Sequence, residues 1–231
     1  DALPGSPVAV SPKGDVIAYT IIGAGGFQTF IRRTNELVPR SVLDASNATV
    51  AGRNLAFSPD GRWLAFTEGN ALKKVAVDGG QVVNVKALTI AVPYGVAWIG
   101  NDTILVGSFT GMEAVPANGG TSTMIGLKDS TSSRFGQRWP MALPGNRYIA
   151  FATGNTSSDI PRLAILDLRT RDIVTHETQA AAPLGYLQGH LVLIASSGAI
   201  VALPFDLKSL RPTGEQVPLE QSASARQRVC G

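Results

Sequence analysis

A repeated segment of eight residues limits what this chain of 231 residues can fold into. The copies start at Pro12, Pro59, Gly100, Pro144 and Leu187, so successive starts lie 47, 41, 44 and 43 residues apart. A period of about 40–45 residues is the length of a four-stranded propeller blade. The sequence therefore predicts an all-β propeller of four-stranded antiparallel blades. One domain over residues 1–222 would hold five visible blades, at about 8–46, 54–90, 94–128, 138–180 and 184–222, followed by a tail at 223–231.

Each copy has the same order of features. A short apolar run, such as residues 55–57, precedes a turn rich in Pro, Gly, Asp and Asn, and a β-branched and aromatic strand such as 63–66 follows. Later hairpin signals include Asp78-Gly79, a dipeptide typical of tight β-turns. Because one small sheet buries too little apolar surface to be stable alone, the blades are expected to stack around an axis. The nine residues at 223–231 are too few for another blade, so the repeat favours an incomplete six-bladed ring over one closed by five blades.

Charge and composition disfavour several classes of partner. The formal net charge is +3 and is spread thinly along the chain, whereas nucleic-acid binding normally needs a concentrated basic patch. No apolar stretch is long enough to span a membrane, and the first residues lack the pattern of a signal peptide. Cys230 is the only cysteine, which excludes a disulfide within the chain and is compatible with a bacterial envelope protein.

Sequence motifs for catalysis or cofactor binding are scarce. The two histidines, His176 and His190, fall outside any zinc-protease motif, and no Gly-x-Ser-x-Gly elbow is present. Asp15, Asp60 and Asp102 recur in turns, where a carboxylate usually caps its own backbone. We therefore expect no enzyme activity, no cofactor and no metal site. A catalytic propeller, such as a lactonase, would need several carboxylates or histidines aimed into the channel, and the predicted inner strands are apolar.

The segment 56–66, Ala-Phe-Ser-Pro-Asp-Gly-Arg-Trp-Leu-Ala-Phe, resembles a TolB-type, WD-like propeller repeat. The stretches 77–80, 138–145, 164–168 and 201–206 are similar to the propeller that follows the kinase domain and membrane segment of bacterial serine/threonine kinases. The resemblance implies a sensor or interaction domain on the periplasmic or extracellular side of a bacterial membrane. The kinase motifs themselves are absent from the chain.

The longest polar loops are predicted on one side of the propeller, at 44–53, 128–137 and 154–161. In a four-stranded blade the connections between blades and the turns between second and third strands open on the same side, here called the long-loop face. Since binding residues concentrate on long loops held by a rigid scaffold, this face is the predicted recognition surface. Aromatic residues and arginines are favoured interface anchors, and the candidate partner-binding residues are Arg53, Tyr94, Arg134, Phe135, Arg138 and Tyr186. In the alternative reading, Arg138, Trp139 and Tyr186 pack between blades.

Three functions compete at this point. The first is a recognition or sensor propeller that binds a protein, a peptide or a small ligand and belongs to a larger signalling protein. The second is an accessory propeller, either the gating domain of a prolyl-oligopeptidase-like peptidase or a periplasmic TolB-like interaction protein. The third is the catalytic propeller. Fold alone does not decide among them.

Overall fold

The computed structural model describes residues 8–23, 26–42, 53–125, 136–154, 162–178, 180–195 and 197–219. The regular elements in these ranges are all β-strands, so the predicted all-β class is confirmed. The first sheet holds β1 (Val8–Val10), β2 (Val16–Gly23), β3 (Gly26–Arg33) and β4 (Arg40–Ser41). The second holds β5 (Arg53–Phe57), β6 (Trp63–Glu68), β7 (Ala71–Ala76) and β8 (Val83–Ala87). The third holds β9 (Pro93–Ile99), β10 (Thr103–Ser108), β11 (Met112–Pro116) and β12 (Thr123–Ile125).

The fourth sheet holds β13 (Gly136–Ala142), β14 (Tyr148–Gly154), β15 (Arg162–Asp167) and β16 (Ile173–His176). The fifth holds β17 (Ala180–Leu187), β18 (His190–Ala195), β19 (Ile200–Asp206), β20 (Arg211–Pro212) and β21 (Val217–Pro218). Both β20 and β21 pair with β19, so the fourth position of the last sheet is shared by two short strands. The sheets are antiparallel meanders, numbered here as blades 1 to 5. The extent of the domain beyond them stays a prediction.

The turn between the first and second strands explains the eight-residue repeat. In blade 2 the Ser58 hydroxyl donates to Asp60 at 2.6 Å and accepts from the Trp63 N–H at 3.0 Å, and the Arg62 N–H donates to Asp60 at 3.0 Å. In blade 1 the Ser11 hydroxyl accepts from the Val16 N–H at 2.9 Å. The recurring Ser and Asp thus satisfy turn backbone groups, as expected of short polar side chains in turns.

The core lies between the blades. Leu64 and Phe66 of β6 pack with Val16, Ala18 and Ile31 of blade 1. The intervening residue of β6, Ala65, belongs to the cluster between blades 2 and 3. Comparable clusters fill the space between blades 3 and 4 and between blades 4 and 5. Because side chains alternate between the two faces of a strand, each blade is apolar on both faces.

Candidate recognition site between blades 3 and 4

The innermost strands β1, β5, β9, β13 and β17 surround a central cavity of about 790 Å³. Its wall is mostly apolar, including Val10, Phe57 and Met141, and residues of the first turns such as Pro12 and Pro59 also line it. Ligand sites of about 300–1,000 Å³ with mostly apolar walls are common in proteins. The cavity can therefore hold a small apolar group or a peptide side chain.

Irregularities occur in the innermost strands near the long-loop face. The register with the second strand shifts after Arg53 in β5, between β9 and β10, and after Arg138 in β13. Asn54, Gly95 and Trp139 lie at these irregularities with positive φ angles of 57°, 96° and 53°. Such bulges bend a strand and redirect its side chains. In β5 and β9 the start of the strand lies against the following blade, through Asn54 and Gly95 respectively.

Asn54 ties blade 2 to blade 3 at this level. It is 1% exposed. Its Oδ1 accepts from the Gly95 N–H at 2.8 Å, and its Nδ2 donates to Thr67 Oγ1 at 2.9 Å and to the Pro93 carbonyl at 3.3 Å. One buried amide therefore satisfies two backbone groups of blade 3 and bonds the side-chain hydroxyl of Thr67 in blade 2.

Blades 3 and 4 approach each other more closely. A Cβ on Gly95 would lie 2.6 Å from the Cα of Trp139, and one on Gly107 would lie 2.5 Å from the Gln137 carbonyl oxygen. In the same region Ser108 of β10 pairs with Gln137 of β13, which links the two blades into one continuous sheet. Glycine at both positions permits this contact, because any side chain would collide with the neighbouring backbone.

Four side chains meet at this junction, here called the aromatic–arginine cluster: Tyr94, Phe109, Arg138 and Trp139. The Arg138 guanidinium carbon lies 5.1 Å from the Phe109 ring centre and 4.9 Å from the Trp139 ring centre. Tyr94 and Phe109 contact edge to face, with ring centres 4.4 Å apart. Both distances from Arg138 are within the range of cation–π attraction.

The junction between blades 3 and 4 carries two polar groups that lack a hydrogen-bond partner among the described residues, one on Arg138 of the cluster and one on the adjacent Gln137. Arg138 is 9% exposed and Gln137 is 2% exposed. Among the residues that the structure describes, neither Arg138 Nε nor Gln137 Oε1 has a hydrogen-bond partner, and no carboxylate pairs with Arg138. Burial lowers the pKa of the Arg138 guanidinium, an effect that neighbouring Tyr94 opposes. Unpartnered polar groups at such burial are rare and costly.

The predicted site residues fall into three groups. Tyr94 and Arg138 come together in the cluster. Tyr186 lies at the far end of its strand, where its hydroxyl donates to the Phe205 carbonyl at 3.0 Å and its ring lines the cavity. Arg53 begins β5, but its side chain lies outside the described part of the chain, as do Arg134 and Phe135 entirely.

Three residues of the site were not among those predicted from the sequence: Phe109, Gln137 and Trp139. Phe109 stands in the turn between the second and third strands of blade 3, which opens on the long-loop face. That position was a usable signal, because the same rule predicted which loops share this face. Trp139 gave no comparable signal, since its positive φ is visible only in the structure.

Two other functional features are absent from the described residues. No group of three His, Cys, Asp or Glu side chains there is arranged to hold a metal ion. The described residues also contain no helix long and apolar enough to cross a membrane.

Solved structures share this fold. TolB from Acinetobacter baumannii matches with a TM-score of 0.71 at 15% identity, over 94% of this chain and 54% of that one. A putative TolB from Agrobacterium tumefaciens matches with a TM-score of 0.70 at 14% identity, over 94% and 80%. This chain therefore spans about half the length of the first of them. No protein-family model and no curated protein sequence matches the chain. The predicted TolB-type propeller architecture is confirmed at the level of the fold.

The comparisons correct one prediction. Oligogalacturonate lyase from Vibrio parahaemolyticus has the same fold, with a TM-score of 0.63 at 10% identity over 94% of this chain and 65% of that one. The propeller fold and the missing motifs led us to predict that this chain is not an enzyme. That prediction is wrong, because a propeller of the same fold is an enzyme. The same fold can carry catalytic and non-catalytic functions, so neither the fold nor the lack of short linear motifs decides whether a propeller is an enzyme.

Proposed function

We propose that this chain is a recognition propeller that binds a protein or peptide partner on its long-loop face, at the aromatic–arginine cluster. The partner-binding residues are Tyr94, Phe109, Gln137 and Arg138. Arg53, Arg134 and Phe135 remain candidates because the loops that precede blades 2 and 4 belong to the same face. The similarity to TolB propellers supports the scaffold for this role but does not identify the partner.

The observation that carries the proposal is the burial of Arg138 without a described carboxylate partner. A buried cation with no opposite charge costs several kcal/mol in order-of-magnitude terms. Contacts with Phe109 and Trp139 offset about 1–2 kcal/mol of this. A residue that destabilises the fold to this extent is a candidate for binding, because functional sites are where stability rules are most often broken.

The unpaired atoms indicate the chemistry of the partner. Arg138 offers a donor, and arginine is well suited to carboxylates. Gln137 Oε1 is an unpaired acceptor for a backbone or side-chain N–H, and a partner reaches it only when the side chain moves, because the atom has almost no exposed surface. The rings of Tyr94 and Phe109 add apolar area next to the charge. This combination fits a peptide that presents a carboxylate, either an acidic side chain or a C-terminus, beside an apolar residue.

A displayed peptide library selected on the folded chain tests this proposal. We expect the enriched peptides to carry a carboxylate beside an apolar residue, and Arg138→Ala to weaken their binding. A hydrogen bond to a charged group contributes about 1.5–3 kcal/mol, which corresponds to a roughly 10- to 150-fold rise in Kd. Amidating or neutralising the carboxylate of the peptide should have a similar effect.

Arg62→Ala is the matched control. Arg62 is an exposed arginine in the turn of blade 2 that opens on the opposite face, so its loss changes the net charge equally without touching the cluster. Thermal unfolding of both variants establishes that they are folded. Equal binding by the wild type and the folded Arg138→Ala variant would contradict the proposal, as would peptides that bind both arginine variants equally weakly.

We place this recognition role outside the cytoplasm, in a larger bacterial signalling protein related to the serine/threonine kinases. Support comes from the order of the stretches 77–80, 138–145, 164–168 and 201–206 and from the single cysteine. The flanking gene sequence tests this placement. An adjacent kinase domain and membrane segment are expected, whereas an adjacent α/β-hydrolase domain would favour the accessory propeller of a peptidase.

A further inference from the structure

The turn between the third and fourth strands of blade 3 contains the only Asn-Gly pair in the chain, Asn118-Gly119. Asn118 is exposed to solvent, and Gly119 has a φ of 85°. The same turn in blade 2 has Asp78-Gly79 at these positions, and a backbone hydrogen bond of the same span closes both turns. The two turns therefore differ at this position by an amide in place of a carboxylate.

A basic side chain of the preceding blade reaches each of these turns. In blade 1, Arg33 of β3 donates to the Asp78 carboxylate and forms an ion pair with it. In blade 2, Lys74 of β7 donates to Asn118 Oδ1 at 3.1 Å. An ion pair thus joins blades 1 and 2 at the position where blades 2 and 3 are joined by a cation and a neutral amide.

Lys74 is a buried cation. It is 7% exposed, and its Nζ lies 4.4 Å from the centre of the Trp63 ring. It pairs with Ala65 across the sheet and shares the face of that residue towards blade 3. Among the described residues no carboxylate forms an ion pair with it, and burial lowers the pKa of its ammonium group. A carboxylate in place of the Asn118 amide would supply the opposite charge that this position lacks.

The arrangement around Asn118 favours loss of its amide nitrogen. In an Asn-Gly pair the backbone nitrogen of the glycine can attack the side-chain carbonyl carbon, because glycine has no Cβ to hinder the approach. Negative charge develops on Oδ1 during this attack, and a donor held at that oxygen stabilises it. The Lys74 ammonium is such a donor. The Gly119 N–H donates to the Pro116 carbonyl at 2.9 Å, so the attack takes place when this bond opens.

We propose that Asn118 is a modification site: it deamidates with the assistance of Lys74, and the new carboxylate pairs with the Lys74 ammonium across the junction of blades 2 and 3. A bond forms from the Gly119 nitrogen to Asn118 Cγ, the Cγ–Nδ2 bond breaks, and ammonia leaves with the proton of the Gly119 nitrogen. Water then opens the resulting cyclic imide to aspartate or isoaspartate. The sequence of steps consumes a water molecule, releases ammonia and needs no oxidant or reductant.

Timed mass spectrometry of the folded chain tests the reaction. The chain is kept in mildly alkaline buffer and digested in acid, and the fragment masses report an amide or an acid at each asparagine. We expect Asn118 to convert while Asn101, which is followed by aspartate, stays an amide. Lys74→Met keeps a long apolar side chain and loses the donor. It should slow the conversion about tenfold, less than the loss of an enclosed oxyanion donor, because the turn is open to solvent.

Lys86→Met is the matched control. Lys86 Nζ donates to the Gly120 carbonyl in the same turn at 3.4 Å, so its loss removes an equal charge from the turn without removing the donor to Asn118. The rate of conversion should therefore stay that of the wild type. Circular dichroism and thermal unfolding establish that both variants are folded. Retention of the amide at Asn118 for as long as at Asn101 would overturn the inference, as would equal rates in the wild type and the folded Lys74→Met variant.

The ion pair is tested separately by Asn118→Asp, which introduces the carboxylate directly and does not depend on the rate of the reaction. We expect the equilibrium constant for unfolding, measured in urea, to fall about fivefold in this variant. In the Lys74→Met background the same substitution should give no such gain, because the cation is absent. High salt should reduce the gain in the wild-type background. An equal effect of Asn118→Asp in both backgrounds would refute the ion pair.

Discussion

Replacing Asn54 by alanine tests the hydrogen bonds that hold blade 2 to blade 3. The substitution leaves the Gly95 N–H, which Asn54 Oδ1 accepts at 2.8 Å, buried without that acceptor, and it removes the bonds from Nδ2 to Thr67 and the Pro93 carbonyl. An unsatisfied buried donor costs about 1–3 kcal/mol. Alanine at a φ of 57° costs about 1 kcal/mol more than asparagine, which tolerates the left-handed region.

The sum is a loss of about 3 kcal/mol in the free energy of unfolding. For a domain of 150–250 residues this lowers Tm by about 6–12 °C. The assay is thermal and urea unfolding of Asn54→Ala, with Asn54→Gly as a companion that keeps the conformational freedom and loses only the hydrogen bonds. Asn54→Gly should therefore be the less destabilised of the two, by about 1 kcal/mol.

Asn146→Ala is the matched control, since Asn146 has a φ of 56° but is exposed in a turn. It should lose only the conformational part, about 1 kcal/mol. The reasoning would be refuted if Asn54→Ala and Asn146→Ala were equally stable, because the buried hydrogen bonds would then contribute nothing measurable.

Two further predictions concern stability. Gly95→Ala places a Cβ 2.6 Å from the Trp139 Cα at a φ of +96°, and we expect it to lower the free energy of unfolding in urea by more than about 3 kcal/mol. Gly145→Ala is the control, since it has a φ of +86° and no atom within 4 Å of its Cβ, and it should lower that free energy by about 1 kcal/mol. Equal losses of stability in the two variants would contradict the tight contact. The hydrogen bond from Arg147 lowers the pKa of Asp167 below its ordinary value of 3.8, and backbone N–H groups act in the same direction. Because the folded carboxyl binds its proton more weakly than the unfolded one, this stabilisation is complete above the ordinary pKa and is lost as pH falls through the folded pKa. Asp167→Asn should therefore be less stable than the wild type at pH 7, and the difference should shrink in acid; a difference independent of pH would contradict the assignment.

The repeat was sufficient to predict the architecture, because each copy encodes the same local choices. Ser58 and Asp60 specify a turn, and the alternation of Leu64, Ala65 and Phe66 specifies a strand buried on two faces. Blade 3 departs from a gapless alignment. Six residues separate Val10 from its partner Ile17, but only five separate Trp98 from Ile104, since Gly100 at a φ of 57° closes a shorter turn.

The candidate site was only partly predictable. Tyr94 and Arg138 were identified because they start innermost strands on the long-loop face. Their contact with Phe109 depends on how closely blades 3 and 4 approach. Gly95 and Gly107 permit this approach, but two glycines in a sequence are not enough to predict it. We also predicted Tyr186 on the long-loop face, although it lies near the opposite end of its strand. A repeat alignment predicts the blade to which a residue belongs more reliably than it predicts the position of that residue along the propeller axis.

The pairing of Ser108 with Gln137 has a consequence for the order in which the molecule opens. A repeat array behaves as a row of units coupled to nearest neighbours, and here one coupling includes backbone hydrogen bonding as well as side-chain packing. Among the described residues, blades 1 and 5 each pack against one neighbouring blade, so we expect local unfolding to begin at these two blades and to move inward. The unit formed by blades 3 and 4 opens last, and Arg138 is thus held by the part of the chain that fluctuates least.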